Sequence, residues 1–343
     1  MKLLSTAAIA ALALSLATNA AAEVERYSVI FGGKTVGHLN ADIQGDRTAI
    51  DFDYKNNGRG PTMKEVLRTD AAGLPVEWDI TGTTTFGSKV EEHFASDGTA
   101  ARWTDATGGG SASTRGVYVA QSGSPWATGL YARAIMKTGG TTLAALPGGT
   151  LTLTKGETLS VKGAGGPLTV TAYDLGGIET TPDTIVLDAD GEMFAAVSPR
   201  QVIVREGYEG EAERLKTLAA QWSTDRFVAI NKKVAHRYAG PVRIRNVRVF
   251  DSKAGTVGAP VSVLVSGNRI AKIEPLGAKG AAGETVIDGA GGTIVPGLYE
   301  MHAHTGQEGA LLNLVAGVTT MRDMGNDNAV LDKLVERIDG GVI

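Results

Sequence analysis

The chain of 343 residues contains no cysteine. That removes disulfides, thiolate metal ligands, a cysteine nucleophile and a lipidated cysteine from any account of it. Aromatic residues are scarce at 6 %, against 46 glycines, a balance that suits short strands joined by tight turns. Positive charge forms no dense run and the net charge is −4, so there is no electrostatic case for nucleic acid. No Gly-x-Ser-x-Gly elbow occurs to seat a serine nucleophile. Beyond the first 22 residues, no apolar run is long enough to cross a bilayer as a helix.

What remains is ample material for a core. Apolar residues make up 43 % and charged residues 20 %, a globular composition, and the length predicts two or three units. Residues 1–22 read as a secretory signal. Lys2 supplies the positive start, Leu3 to Leu16 the apolar run, and Ala20-Ala21-Ala22 a small-residue cleavage site before Glu23. The mature protein is therefore expected to be exported, periplasmic or secreted, with no stable membrane span after cleavage.

Residues 23–207 alternate with period two. Ile50, Phe52 and Tyr54 interleave with Asp51, Asp53 and Lys55, and Val76, Trp78 and Ile80 with Glu77, Asp79 and Thr81. That is the pattern of strands with one buried and one wet face. Turns are signalled at Asn57-Gly58, Asp97-Gly98, 163–167 and Asp190-Gly191. One helix is predicted from Trp126 to Lys137, with Leu130, Ala134 and Ile135 as its apolar stripe. An antiparallel, strongly curved β domain follows. In shape and composition it resembles the curved β modules of envelope proteins that bind apolar ligands. His38 and His93 are isolated and read as surface or hydrogen-bonded structural residues. Asp183, Asp188 and Asp190 read as turn residues, too sparse for a calcium loop.

The period changes over 208–240. Leu215, Leu218, Trp222, Ile230 and Val234 approach helical spacing, with a break predicted at Ser223-Thr224-Asp225, and Gly240-Pro241 stops the connector. His236, among Lys232, Lys233 and Arg237, reads as a solvated helix-end residue. Residues 241–292 form a small β module with strands at 242–250, 260–266, 269–274 and 285–288.

Thr293 to His304 then reads as one strand carrying His302 and His304 at i and i+2. Strand side chains alternate, so both imidazoles share a face, together with Glu300. Two imidazoles so placed can close on one metal ion. The other parity, Tyr299, Met301 and Ala303, suits a face packed beneath helices. Gln307 to Ala316, Val318 to Arg322 and Asn328 to Ile338 read as helix, strand and helix, with Asp327 capping the second helix.

From Val242 onward these phrases resemble the amidohydrolase superfamily. They are Val247-Arg-Val-Phe-Asp251, 265–273, Val286-Ile-Asp-Gly289, Ile294-Val-Pro-Gly…His-Ala-His304 and Leu314-Val-Ala-Gly-Val-Thr-Thr-Met-Arg-Asp-Met-Gly325. Together with the signal segment, they are similar to the exported branch grouped with imidazolonepropionase-related hydrolases and prolidase-like dipeptidases. With the antiparallel β domain read from alternation, the expected chain is mainly β; the resemblance adds a small β-sandwich module and, over 293–343, the first two βα units of a (β/α)8 TIM-like barrel. It implies a divalent metal, zinc, with one or two ions in the complete enzyme. His302 and His304 would be ligands and Glu300 a carboxylate supporting them, where the family more often has Asp. It also implies hydrolysis of carbon–nitrogen bonds in a small-molecule, dipeptide-like or cyclic-amide substrate by metal-activated water. The family's other ligands and its catalytic base lie on later strands, beyond residue 343. The chain is accordingly expected to be the N-terminal part of a longer enzyme, inactive by itself. The competing expectation is a non-catalytic envelope protein whose β domain binds an apolar ligand or partner.

Overall fold

The computed structural model describes residues 23–325 and 328–342. Residues 1–22, the expected secretory signal, and Asp327, the expected helix cap, lie outside the described residues. The chain divides into two compact units between Ala219 and Ala220. The first is built mainly of strands and the second of strands and helices.

The first unit is a β meander. Its opening strands are β1 (Glu23–Phe31), β2 (Lys34–Gln44), β3 (Arg47–Tyr54), β4 (Thr62–Thr69) and β5 (Pro75–Thr83). Then come β6 (Lys89–Ser96), β7 (Ala101–Asp105), β8 (Gly108–Ala112) and β9 (Val117–Tyr118). Helix α1 (Trp126–Lys137) interrupts them before β10 (Thr142–Leu146), β11 (Thr150–Gly163) and β12 (Gly166–Gly176). The last are β13 (Asp183–Leu187), β14 (Met193–Val197) and β15 (Gln201–Arg205). All fifteen join in one sheet, running from β8 back to β1, across to β15, and back down to β9. Every pairing is antiparallel except β9 with β10. At Asn57-Gly58 both residues take positive φ, 52° and 74°, as a tight two-residue hairpin turn requires.

Helix α1 explains the curvature. Trp126, Ala127, Leu130, Tyr131, Ala132, Ala134 and Ile135 are all buried, so the helix is apolar on nearly every side and must be enclosed. One core gathers these with Leu39, Phe52, Trp78 and Phe94 from the early strands and Leu151, Ile185 and Ile203 from the late ones. A sheet whose two halves both reach one helix has to curl around it. Each fully buried large side chain contributes about 1.5–3 kcal/mol of transfer free energy.

Two carboxylates break the apolar face. Glu65 and Glu92 sit on the core side of β4 and β6, with exposures of 1 % and 3 %. Glu65 accepts from Trp78 Nε1 at 2.9 Å and the Ser124 backbone N–H at 2.6 Å. Glu92 accepts from the Tyr118 hydroxyl at 2.7 Å and from the N–H groups of Gln121 and Ser122 at 2.9 and 2.8 Å. The loop into α1 thus hangs from two buried acids that replace its missing backbone partners.

Helix α2 (Ala212–Val234) carries the chain into the second unit. The predicted break at Ser223-Thr224-Asp225 does not occur. The Thr224 hydroxyl donates back to the Ala220 carbonyl at 2.7 Å, and Gln221 Nε2 donates to Asp225 Oδ1 at 2.8 Å. These polar side chains are satisfied within the helix and do not compete with it. No helix among the described residues is long and apolar enough to cross a membrane.

The second unit holds β16 (Val242–Asp251), β17 (Thr256–Val257), β18 (Val261–Ser266), β19 (Arg269–Pro275), β20 (Thr285–Asp288) and β21 (Thr293–Ile294). They form one six-stranded sheet in which β16 pairs with β17, β18, β20 and β21. β16 bends at Asn246, φ 53°, so that its first half pairs with β20 and its second with β21. Gly289 is obligatory at that bend, because a Cβ there would lie 2.0 Å from Val247 Cγ1.

The strand read as continuous from Thr293 to His304 is two strands. β21 stays with the six-stranded sheet, Pro296 and Gly297 interrupt, and β22 (Leu298–Ala303) begins a separate pair. Proline has no N–H for a ladder. A Cβ on Gly297 would lie 2.0 Å from Thr319 Oγ1, so only glycine permits this approach. Helix α3 (Gln307–Val315), β23 (Val318–Asp323) and α4 (Asn328–Asp339) follow, with β22 and β23 parallel. This is a β-α-β-α order.

The face expected to lie beneath helices is partly open. Ala303 is buried, but Tyr299 is 69 % exposed, and Leu298, Met301 and Leu314 are exposed too. Limited proteolysis should therefore cut within 293–342 well before it reaches 23–207. Digestion that began in the β domain would contradict this.

Candidate metal centre

His302 lies near the end of β22 and His304 just past it. Their ring centroids are 5.3 Å apart with planes at 75°, and both side chains are exposed. The alternation argument assumed a regular strand. In fact the register with β23 shifts between Glu300, which faces Met321, and Ala303, which faces Asp323. Three steps on β22 match two on β23, so a bulge falls within Met301-His302. Bulges re-aim side chains, and here the bulge sets the relation of the two rings.

The other fixed points lie on β23 and the turn after it. His304 Nδ1 stands 3.0 Å from the Gly325 carbonyl. A carbonyl can only accept, so the contact puts the proton on Nδ1 and leaves the Nε2 lone pair of a neutral ring for a ligand. Asp323 accepts from the Thr305 N–H at 3.0 Å and the Gly325 N–H at 3.1 Å. It ties the turn holding the Gly325 carbonyl to the chain after His304. Asp323 and Gly325 were quoted in the motif but not marked as site residues. Their signal was position, since both lie at the carboxyl end of the second parallel strand.

Glu300 takes a local role. Its Oε1 accepts from the His302 backbone N–H at 2.8 Å. Among the described residues no group of three or more His, Asp or Glu gathers that could hold a metal ion. The donor set fits a divalent ion to the extent of two imidazoles, one with its tautomer fixed. The other histidines stand apart from this. His38 pairs with Asp51 at 3.4 Å and His93 with Asp79, both on exposed sheet faces, while His236 is exposed beyond α2. Asp188 is the expected turn residue, accepting from the N–H groups of Asp190 and Glu192.

No protein-family model matches the chain. A curated adenine deaminase from Chelativorans sp. (strain BNC1) is 32 % identical over 108 residues, 27 % of this chain and 18 % of that protein. This chain therefore spans less than a fifth of that deaminase. A solved Xaa-Pro dipeptidase with bound methionine in its active site is 25 % identical, covering 30 % of this chain and 31 % of that one, with a TM-score of 0.26. A DUF1089 family protein from Pseudomonas aeruginosa is 13 % identical, covering 48 % of this chain and 90 % of that one, with a TM-score of 0.29. The sequence match supports a likeness to the amidohydrolase superfamily at low coverage.

Proposed function

We propose that this chain carries the opening part of the catalytic domain of an exported, metal-dependent amidohydrolase acting on carbon–nitrogen bonds of a small dipeptide-like or cyclic-amide substrate. The observation that carries the reading is His304, held by the Gly325 carbonyl with Nε2 free, beside His302 at the carboxyl end of a parallel strand pair. Active groups of (β/α)8 barrels gather at that end of the strands. On this reading β22-α3-β23-α4 are the first two units of such a barrel, accompanied by the six-stranded sheet. His302 and His304 would hold zinc or another divalent ion, and further ligands come from outside the described residues. Such an ion supplies activation of a water and polarisation of the group attacked. The chain's own residues orient the ligands. Gly325 fixes the His304 tautomer, Asp323 holds the turn that carries Gly325, and Glu300 secures the backbone of the bulge.

The test uses the longest polypeptide that the reading frame supplies. Ammonia release from adenine and amino-acid release from Xaa-Pro dipeptides are followed with zinc, with chelator, and with zinc restored. Hydrolysis of one probe class should vanish on chelation, return with zinc, and be lost in His304→Ala. Asp323→Asn should lower metal affinity or activity about 10–100-fold, as loss of an orienting partner does. Hydrolysis indifferent to chelator and to His304→Ala, or no hydrolysis and no zinc binding, overturns the reading.

A further inference from the structure

The end of α2 and the segment after it carry a charge pattern that the hydrolase reading does not use. Between Asp225 and Asp251 the chain has no acidic residue but seven lysines and arginines, in a protein of net charge −4. Four of the seven are occupied or set apart. Glu274 and Glu284 clasp Arg243, Arg245 Nη2 donates to the Ala278 carbonyl at 3.4 Å, and Arg226 is half-buried with a partner of its own. Arg248 lies apart on β16. Lys232, Lys233 and Arg237 remain, exposed and with no ion pair among the described residues, and His236 is exposed among them.

Three large apolar side chains stand in the same stretch. Ile230, Val234 and Tyr238 are 40, 49 and 45 % exposed. Ile230 and Val234 lie one turn apart on one side of α2, with Lys233 next to Ile230 at i+3. Phe227, three positions earlier on that side, is buried, so the apolar stripe runs from the protein out into solvent. A cavity of about 380 Å³ opens beside it, lined by Lys232 and Arg237 together with Asn231, Val228, Ala235 and Val342. Unpaired cations interleaved with exposed apolar side chains, and no acid among them, match a surface that is negative outside and apolar beneath. Nucleic acid would engage the cations and leave Ile230 and Val234 without contacts. A second copy meeting the same patch would set cation against cation.

We propose that residues 229–238 dock on an anionic lipid surface. Ile230, Val234 and Tyr238 enter the headgroup layer, while Lys232, Lys233 and Arg237 meet lipid phosphates. The cavity lined by Lys232 and Arg237 receives one headgroup. With three cations and three partly buried apolar side chains the contact is peripheral and reversible. None of these residues belongs to the histidine site, so the proposal stands or falls apart from the hydrolase reading.

The test is co-sedimentation of the whole chain with vesicles of phosphatidylglycerol and phosphatidylcholine in equal parts, against phosphatidylcholine alone, in about 0.1 M salt. Binding to the mixed vesicles should be about 100-fold tighter, at about fivefold per cation, and about 0.5 M salt should release most of it. Lys232→Gln together with Lys233→Gln should weaken that binding about 25-fold. Glutamine suits an exposed helix, and an unchanged far-UV circular dichroism spectrum shows that α2 persists. Val234→Ser should weaken it about threefold, since roughly half of a valine's burial is at stake. Equal binding to both kinds of vesicle overturns the proposal. So does binding that the double lysine variant leaves intact, the result expected if the apolar run of residues 3–16 carried it. Duplex DNA bound as tightly as the mixed vesicles, with Val234→Ser without effect, would assign the patch to nucleic acid and overturn it too.

Discussion

Alanine in place of Trp78 should lower the stability of the β domain by about 3–5 kcal/mol, the usual cost of deleting a large buried aromatic. The indole is 0 % exposed and is the largest fully buried side chain of the core. Its ring packs against Tyr118 and Tyr131 at centroid distances of 6.5 and 6.4 Å. Those two tyrosines belong to β9 and to the helix inside the curved sheet, so a cavity at Trp78 loosens strand from helix. The loss does not stop at volume. Nε1 donates to Glu65, and removing it takes one of that buried carboxylate's partners. A total stability of about 5–15 kcal/mol is typical of single domains, so Trp78→Ala leaves little in reserve. Trp78→Phe separates the two effects, because it keeps most of the ring and drops the donor. It should cost about 1–3 kcal/mol, the price of a buried acceptor left short. Burial raises the Glu65 carboxyl above its ordinary value. Such a group binds its proton more tightly folded than unfolded, so its contribution to stability falls as pH rises above the unfolded value of about 4.3. The Trp78→Phe penalty should accordingly be larger at pH 7 than near pH 4. Denaturant unfolding of both variants at the two pH values measures this. A Trp78→Ala loss under 1 kcal/mol would refute the account.

How much of this was legible in the sequence depends on how local the deciding interaction is. Helix α1 was readable to the residue, because its apolar density and the turn residues around it are properties of one stretch. So were β20 and the hairpin at Asn57-Gly58. The buried faces of β3 and β5 followed from alternation. Glu65 and Glu92 did not, since beside Trp78 and Tyr118 their partners are N–H groups of the loop into α1, 29 to 59 residues away. A carboxylate on the core parity looks like an error until those N–H donors are in place. The split of β21 from β22 was half legible. Pro296-Gly297 was seen as a motif, but its physical reason, the approach of Thr319 to the glycine, needs the parallel pairing with β23. The nearness of His302 and His304 followed from their spacing. The bulge beneath them, and the path from Asp323 through Gly325 to His304, depend on register across two strands and leave no local mark.

Methionine in place of Arg243 should unfasten the six-stranded sheet more than any other single change within it. The guanidinium sits on β16 and is 3 % exposed. Nε and one terminal nitrogen donate to the two oxygens of Glu284 at 2.7 and 3.1 Å, and the other terminal nitrogen donates to Glu274 at 2.7 Å. Glu274 belongs to β19, and Glu284 directly precedes β20, so one side chain clips both strands to β16. Hydrogen bonding to the two carboxylates outweighs desolvation in raising the Arg243 pKa. Methionine would leave two carboxylates without the guanidinium that bridges them, and a one-sided loss of this kind is worse than losing the whole cluster. Lysine would not substitute, because it cannot make the forked contact with Glu284. The pH dependence has a definite sign. Hydrogen bonding to Arg243 holds the Glu284 carboxyl below its ordinary value. The stability this gives is present above the unfolded carboxylate pKa and is lost as pH falls through the lower folded one. The native sheet should therefore weaken on acidification below about pH 4. Arg243→Met, relieved of carboxylate repulsion there, should approach the native protein as pH falls. Amide hydrogen exchange of residues 261–275 and 285–288 at pH 7 and pH 4 reads both effects. Native-like protection of these strands in Arg243→Met at pH 7 would show that the clip is dispensable.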